Sequence, residues 1–223
     1  DACLVGSEMC IRDRNYTMQH FLFNNQKLKI KQEGFFMKNI FKIIVFNLII
    51  FIRIGSFAKD ENTFIIETNR GNITIEVFPE KAPKTVTNFK KYVEDGFYNG
   101  LIFHRVISNF MIQGGGFDKN MMQKKTNSPI KNESNNRLKN KKYTIAMART
   151  NDPDSATSQF FINLIDNDFL NYSGNSASKR GYCVFGTVIE GKQVVDKIGT
   201  YSTHIKNGMG DVPIKTVVIK SIK

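Results

Sequence analysis

The chain contains no tryptophan, and its 223 residues include only three cysteines, three histidines and five prolines. The Cys and His are widely scattered and form no CxxC or HExxH spacing, which argues against a structural zinc site or a zinc protease. A chain this long buries a core without staples, so the scarcity of Cys costs the fold nothing. Also missing is the run of ~20 apolar residues that a membrane-crossing helix requires. What is present is globular material: 41% hydrophobic and 12% aromatic side chains argue against disorder. The length fits one domain with extensions, or two very small ones. A formal charge of +12 points to nucleic acid, an anionic membrane surface or a lysine-rich background. Only eight of the 32 basic residues are Arg, and the Lys are spread through loops. That distribution favours the background over a phosphate-tracking patch, and no nucleic-acid partner is expected.

The first 58 residues do not read as domain. Met37-Lys38-Asn39-Ile40-Phe41-Lys42 is a short basic start, and Ile43 to Ile52 is an almost unbroken apolar run. Ser56-Phe57-Ala58 then supplies small residues before the polar Lys59-Asp60-Glu61-Asn62. A basic start, a short apolar stretch and small residues at −3 and −1 mark a secretory signal peptide over 37–58, cut after Ala58. An uncleaved anchor is the main rival, but Arg53 interrupts the run, so no stable membrane anchor is expected. A buried core helix is a weaker rival, because the run has no amphipathic period. Residues 1–36 precede a plausible initiator Met, and Cys3 to Arg14 resembles a translated sequencing adaptor rather than natural protein. They are set aside with two of the three Cys. The domain is therefore expected over 59–223, in a periplasmic or secreted location. Residues 1–58 take eight basic and four acidic side chains with them, so the positive excess shrinks.

Strands dominate the remainder. Phe64 to Thr68 is β-branched and aromatic, Asn69 to Asn72 is a turn cluster, and Ile73 to Val77 alternates with period two. The two predict a hairpin with one buried face. Ala82-Pro83-Lys84-Thr85 opens a helix; Val86, Phe89, Tyr92 and Val93 recur at helical spacing, and Gly96 closes it. A second helix is expected over Lys192 to Ile198, with Val194, Val195 and Ile198 inward. A last strand is expected over Ile214 to Ile222. Asp118 to Lys142 is rich in Asn, Lys and Ser, and reads as loop. Hairpins with two isolated helices predict a mainly β protein, a barrel rather than a parallel α/β sheet.

Three ordered blocks carry the chemistry. They are Phe103 to Gly115 (FHRVISNFMIQGG), Thr144 to Arg149 with Ser155 to Asn163 (TIAMAR, SATSQFFIN), and Tyr182 to Val188 (YCVFGTV). Together they resemble the cyclophilins, peptidyl-prolyl cis/trans isomerases, and the exported bacterial branch in particular. The resemblance runs from about Phe64 to Ile222. It implies a closed eight-stranded antiparallel barrel with a helix over each open end, no cofactor and no metal. It also implies a monomer whose partners are proline-containing unfolded or partly folded polypeptides.

Rotation about an X-Pro bond needs no nucleophile, acid or metal. It needs a dry pocket for the ring and a donor for the twisted amide. By the resemblance, Arg105 is the catalytic donor. Its planar fork can bond the prolyl nitrogen and the adjacent carbonyl once resonance is lost. Phe110, Met111, Phe161 and Leu170 correspond to the proline pocket; without the resemblance, each would be read as core. Gln113 corresponds to the residue that bonds substrate backbone and orients the Arg, with Gln159 beside it in the binding set. Ala148 and the Arg149 backbone match the edge that pairs with a peptide by strand addition. Phe169 stands where eukaryotic members usually carry Trp, and Tyr182 where they carry His. Phe has no N–H to offer, so weak cyclosporin A binding is expected. His104 is read as a satisfied polar core residue inside the barrel, and Cys183 as a small buried filler rather than a redox thiol. Gly114-Gly115-Gly116 lacks the GK[ST] of a phosphate loop. The rival to an isomerase is a chaperone module that holds Pro-containing segments without turnover; Arg105, Phe110 and Gln113 being present together argues against it.

Overall fold

In a computed structural model that describes residues 61–223, alternation builds the first hairpin. β1 (Thr63–Thr68) and β2 (Gly71–Val77) pair antiparallel, with Ile66 opposite Ile73 and both fully buried. Gly71 is at φ +129°, and a Cβ there would meet Val194 at 2.8 Å, so this turn requires glycine. The predicted leader and residues 1–36 lie outside the described residues. The chain divides between Ala58 and Lys59, and residues 61–223 fall in the second unit.

The remaining strands of the main sheet are β3 (Leu101–Ile107), β4 (Met111–Asp118), β5 (Thr144–Met147), β6 (Phe160–Asn163) and β7 (Val184–Glu190). A two-stranded hairpin, β8 (Thr203–Lys206) and β9 (Met209–Pro213), precedes the final strand β10 (Ile219–Ile222). Eight strands form one sheet in the order β10-β1-β2-β7-β5-β6-β4-β3, with antiparallel neighbours. Its ends meet: the amides of Gly100 and Phe103 donate to the carbonyls of Ile219 and Val217, each at 2.9 Å, and Ile102 bridges Val218. The sheet is thereby closed into the expected barrel, which leaves few free strand edges.

Two helices pack at opposite ends of β2. α1 (Pro83–Glu94) follows from the Val77 end and buries Val86, Phe89 and Tyr92, while Val93 is only partly covered. Proline in the first turn suits a position whose N–H has no helical partner. The missing cap comes from across the chain. The Glu133 carboxylate accepts the Lys84 and Thr85 amides at 3.1 and 2.9 Å and the Thr85 hydroxyl at 2.8 Å. That places a negative charge on the positive end of the helix and pins the 118–142 loop to it. α2 (Lys192–Gly199) meets the Gly71 end through Val194, with Val195 and Ile198 fully buried. Between them the barrel is filled by rings, Phe89 meeting Phe160 edge-on at 6.1 Å and Phe185 at 5.4 Å.

One expectation needs correction, and one element has no counterpart among the strands expected from sequence. The last strand begins at Ile219, not Ile214: Ile214 is 59% exposed, and the residues between contact β3 by single bonds rather than a ladder. The β8–β9 hairpin, with Asn207-Gly208 at positive φ in its turn, was not anticipated.

Candidate active site

Period two along four neighbouring strands sorts side chains between two faces. Ile112, Ile145, Met147, Phe160, Ile162 and Phe185 enter the barrel core. Their chain neighbours Met111, Ala146, Phe161 and Val184 form a second apolar cluster with Leu170, packed by Phe110, Ala148 and Tyr182. The second cluster is therefore the outer face of β4, β6, β5 and β7. It floors a cavity of about 170 Å³ lined by Arg105, Phe110, Met111, Gln113, Ala148, Arg149, Phe161, Leu170 and Tyr182. That is room for one small ring, well below the ~300–1,000 Å³ of sites for drug-sized ligands.

Nine of the eleven residues singled out from the sequence thus share one pocket. The other two stand just behind and beside it. Gln159 accepts a hydrogen bond from Gln113 Nε2 at 2.9 Å. Gly116 makes room for it, since a Cβ there would lie 2.6 Å from the Gln159 side chain. Phe169, in a short 3-10 turn (Asp168–Leu170), is 74% exposed and stacks on Phe110 at 5.6 Å. It extends the apolar rim rather than the floor.

Two arginines flank the cavity differently. Arg149 lies 4.5 Å over the Tyr182 ring, and its Nε and Nη1 donate to the Gly181 and Thr150 carbonyls. Arg105 stands opposite Gln113 in the β3–β4 register, yet Gln113 bonds Gln159 instead. The partner of Arg105 is Asp211 in β9, whose Oδ2 accepts from Nε at 3.2 Å.

Behind the pocket runs a buried asparagine chain that sequence reading missed. Asn167 Nδ2 donates to the Asn163 side chain at 2.7 Å and to the Phe110 carbonyl at 2.9 Å. Asn163 Nδ2 donates to Asn140 Oδ1, and Asn140 Nδ2 to the Leu170 and Tyr182 carbonyls. Three elements bearing pocket walls are thereby held by one network. Asparagines this far apart in the chain give no sign of this; only the fold joins them.

His104 corrects the reading of a satisfied histidine inside the barrel. It is buried, but it packs on Phe117 at 4.7 Å, itself outside the main apolar cluster, and among the described residues its Nδ1 has no hydrogen-bond partner. Burial, with the Arg105 charge adding to it, pushes its pKa down from 6.5 to about 4. An unfolded chain therefore takes up this proton as pH falls through 6.5, while the folded protein resists until about 4. Stability from this group is complete above 6.5 and lost across that window. At 1.36 kcal/mol per pKa unit, the loss across the whole window is on the order of 3 kcal/mol. Urea unfolding between pH 7.5 and pH 4.5 is expected to show it, and His104→Gln to flatten it. An equally steep fall in that variant would assign the effect elsewhere. Cys183 behaves as expected of a filler: it is buried, and desolvation pushes its thiol up to about 11.

A closed antiparallel barrel with an apolar hollow on its outer face and an arginine at the rim is the arrangement that the resemblance to the cyclophilins implies. The model of the cyclophilin type peptidyl-prolyl cis-trans isomerases matches residues 63–223, and the chain belongs to that family. It is similar to peptidyl-prolyl cis-trans isomerase B of Escherichia coli, 57% identical over 155 residues, covering 70% of this chain and 94% of that protein. A peptidyl-prolyl cis-trans isomerase of Acinetobacter baylyi is 56% identical over 167 residues, covering 72% and 87%. Among solved structures, a Cryptosporidium parvum cyclophilin type isomerase, crystallised in the presence of the dipeptide Ala-Pro, superposes with a TM-score of 0.59. It is 26% identical, covering 72% of this chain and 96% of that one. The chain's activity is peptidyl-prolyl cis-trans isomerisation.

Proposed function

We propose that this isomerase accelerates X-Pro rotation in polypeptides folding after export, with Arg105 as its one catalytic residue. An X-Pro bond favours trans by only ~0.5–1 kcal/mol, but rotation crosses ~18–20 kcal/mol and takes tens to hundreds of seconds unaided. Reaching milliseconds requires about four or five decades, or ~6 kcal/mol at 1.36 per decade. The observation that carries the reading is the juxtaposition of the Arg105 guanidinium with the hollow of Phe110, Met111, Phe161 and Leu170. The ring docks there and loses water. As the amide twists, the prolyl nitrogen regains a lone pair, and Arg105 bonds it more strongly than in the planar state. Gln113 and the Ala148–Arg149 backbone hold the flanking peptide, a sequence-tolerant mode that suits many clients. A direct isomerisation assay on an Ala-Pro-Phe peptide tests the reading; binding without turnover would leave only a holding module.

Export rests on the leader read over 37–58, and the periplasm is the compartment it proposes. An N-terminus at Lys59 in a periplasmic fraction is the expected result; retention of the leader on cytoplasmic protein would overturn it.

Cyclosporin A should bind weakly. Phe169 occupies the rim, stacked on Phe110, with no N–H donor to give the inhibitor. A neutral hydrogen bond is worth about 0.5–1.5 kcal/mol. Phe169→Trp is accordingly expected to tighten inhibition up to about tenfold, with kcat/KM for the peptide within about twofold of the parent. Submicromolar inhibition of the unaltered protein would end this proposal.

A further inference from the structure

We propose that Asp211 is a positioning residue for Arg105, so that the β8–β9 hairpin completes the active site; this rests on Arg105 being the donor. Asp211 stands 106 residues from Arg105 in the chain, and its Oδ2 accepts the Nε–H at 3.2 Å. Among the described residues, no other side chain hydrogen-bonds to Arg105. Nε lies on one edge of the guanidinium plane. Engaging it fixes the plane and leaves both terminal nitrogens free for the substrate, in a side chain that already lines the pocket. Both partners are nearly half exposed, at 44% and 42%. Such pairs add little to stability, so the contact acts on geometry.

The backbone points the same way. Asp211 has φ +62°, a left-handed conformation that costs a non-glycine residue about 1 kcal/mol or more and persists only where its surroundings impose it. Those surroundings are visible. The next residue, Val212, is buried against Ile102 and Met121, which seats β9 on β3. The far end of the hairpin is tied down as well, Lys206 Nζ and Asn207 Nδ2 donating to the Lys119 and Asn120 carbonyls. A rigid hairpin thus presents one carboxylate, in a strained conformation, to the side chain that must not wander. A misplacement of about 1 Å can cost a reaction as much as 10²-fold.

Kinetics on the Ala-Pro-Phe peptide with the full chain separate positioning from structure. Asp211→Gly removes the carboxylate and relieves the φ strain, so folding is preserved. It should lower kcat about tenfold with KM changed less than twofold. Asp211→Asn keeps an oxygen for the Nε–H and tolerates the same φ; it should recover kcat to within about threefold of the parent. In nitrogen–proton NMR spectra the Arg105 Nε–H resonance should shift in Asp211→Gly and stay near its parent position in Asp211→Asn. The double variant with Arg105→Ala should be no slower than Arg105→Ala alone, because Asp211 acts only through Arg105. An unchanged kcat in Asp211→Gly, or a loss that adds to that of Arg105→Ala, overturns the proposal while leaving the donor reading intact. Full activity in Arg105→Ala overturns both.

Discussion

Arg105→Ala is expected to lower kcat/KM on an Ala-Pro-Phe peptide by about 10²–10³-fold, with the affinity for the peptide changed only a few-fold. The split follows from where the side chain stands. The apolar hollow of Phe110, Met111, Phe161 and Leu170 is complete without it, so ring docking survives truncation. What is lost is the donor that bonds the twisted amide more strongly than the planar one, an interaction made only at the barrier. Removing one preorganised donor of this kind costs about 2.7–4 kcal/mol in other enzymes, which is the fold-change stated. Arg105→Lys should rescue little. A lysine keeps the charge but loses the planar fork, and with it both the pairing of Nε to Asp211 and the two free nitrogens beyond it. Line-shape NMR on the peptide at saturating enzyme reads the on-enzyme rotation rate directly. Parent-like rotation in Arg105→Ala would sink the mechanism, and weakened binding with normal rotation would reassign Arg105 to substrate capture.

Much of this architecture is written locally. The alternation of Ile73-Thr74-Ile75-Glu76-Val77 gives β2 and its buried face, and the helical spacing of Val86, Phe89 and Tyr92 gives α1. The pocket is written locally in a different sense. Phe110, Met111 and Phe161 look like core residues, and only the block resemblance moves them to a proposed binding wall; the strand pleat then accounts for Met111 and Phe161, since each neighbours a residue that enters the barrel. What escaped is whatever depends on distant partners. The hairpin β8–β9 carries almost no apolar alternation, because Thr203, His204 and Ile205 are all exposed. Its Asn207-Gly208 turn was the one local sign available. Glu133 caps α1 from 48 residues away, and Asp211 reaches Arg105 across 106. Neither pairing leaves any trace in spacing. The positive charge that stood out in the composition has no part in the proposed mechanism, which uses one guanidinium held by one carboxylate.

A large effect on stability is expected from a single methyl group at Gly186. This residue lies in the middle of β7, where the sheet is continuous on both sides: it faces Val77 of β2 and Ile145 of β5. A Cβ built there would collide with the Glu76 carbonyl oxygen and would stand 3.1 Å from Ile145 Cγ2 and 3.2 Å from Val77 Cα. Two of the three obstacles are backbone atoms of a paired strand, which cannot rotate away as a side chain tip can. The strand itself must shift, and the neighbouring Val184 and Phe185 shift with it, one from the pocket floor and one from the barrel core. Overpacking of a close-packed interior usually costs 1–3 kcal/mol, and the rigid obstacles place Gly186→Ala near ~3. For a domain of this size that is a fall in Tm of about 6–12 °C. Gly210 is the control, since a Cβ there meets nothing within 4 Å, and Gly210→Ala should stay within about 0.5 kcal/mol of the parent. Urea unfolding of both variants decides the matter. If Gly186→Ala unfolds within about 1 kcal/mol of the parent, β7 has slack that its two ladders do not reveal. If it is destabilised as expected but rotates proline normally while folded, the strain stops at the barrel wall. The shared strand makes the opposite outcome the expected one: kcat/KM should fall with stability, because Val184 links the obstructed backbone to the floor proposed for the proline ring.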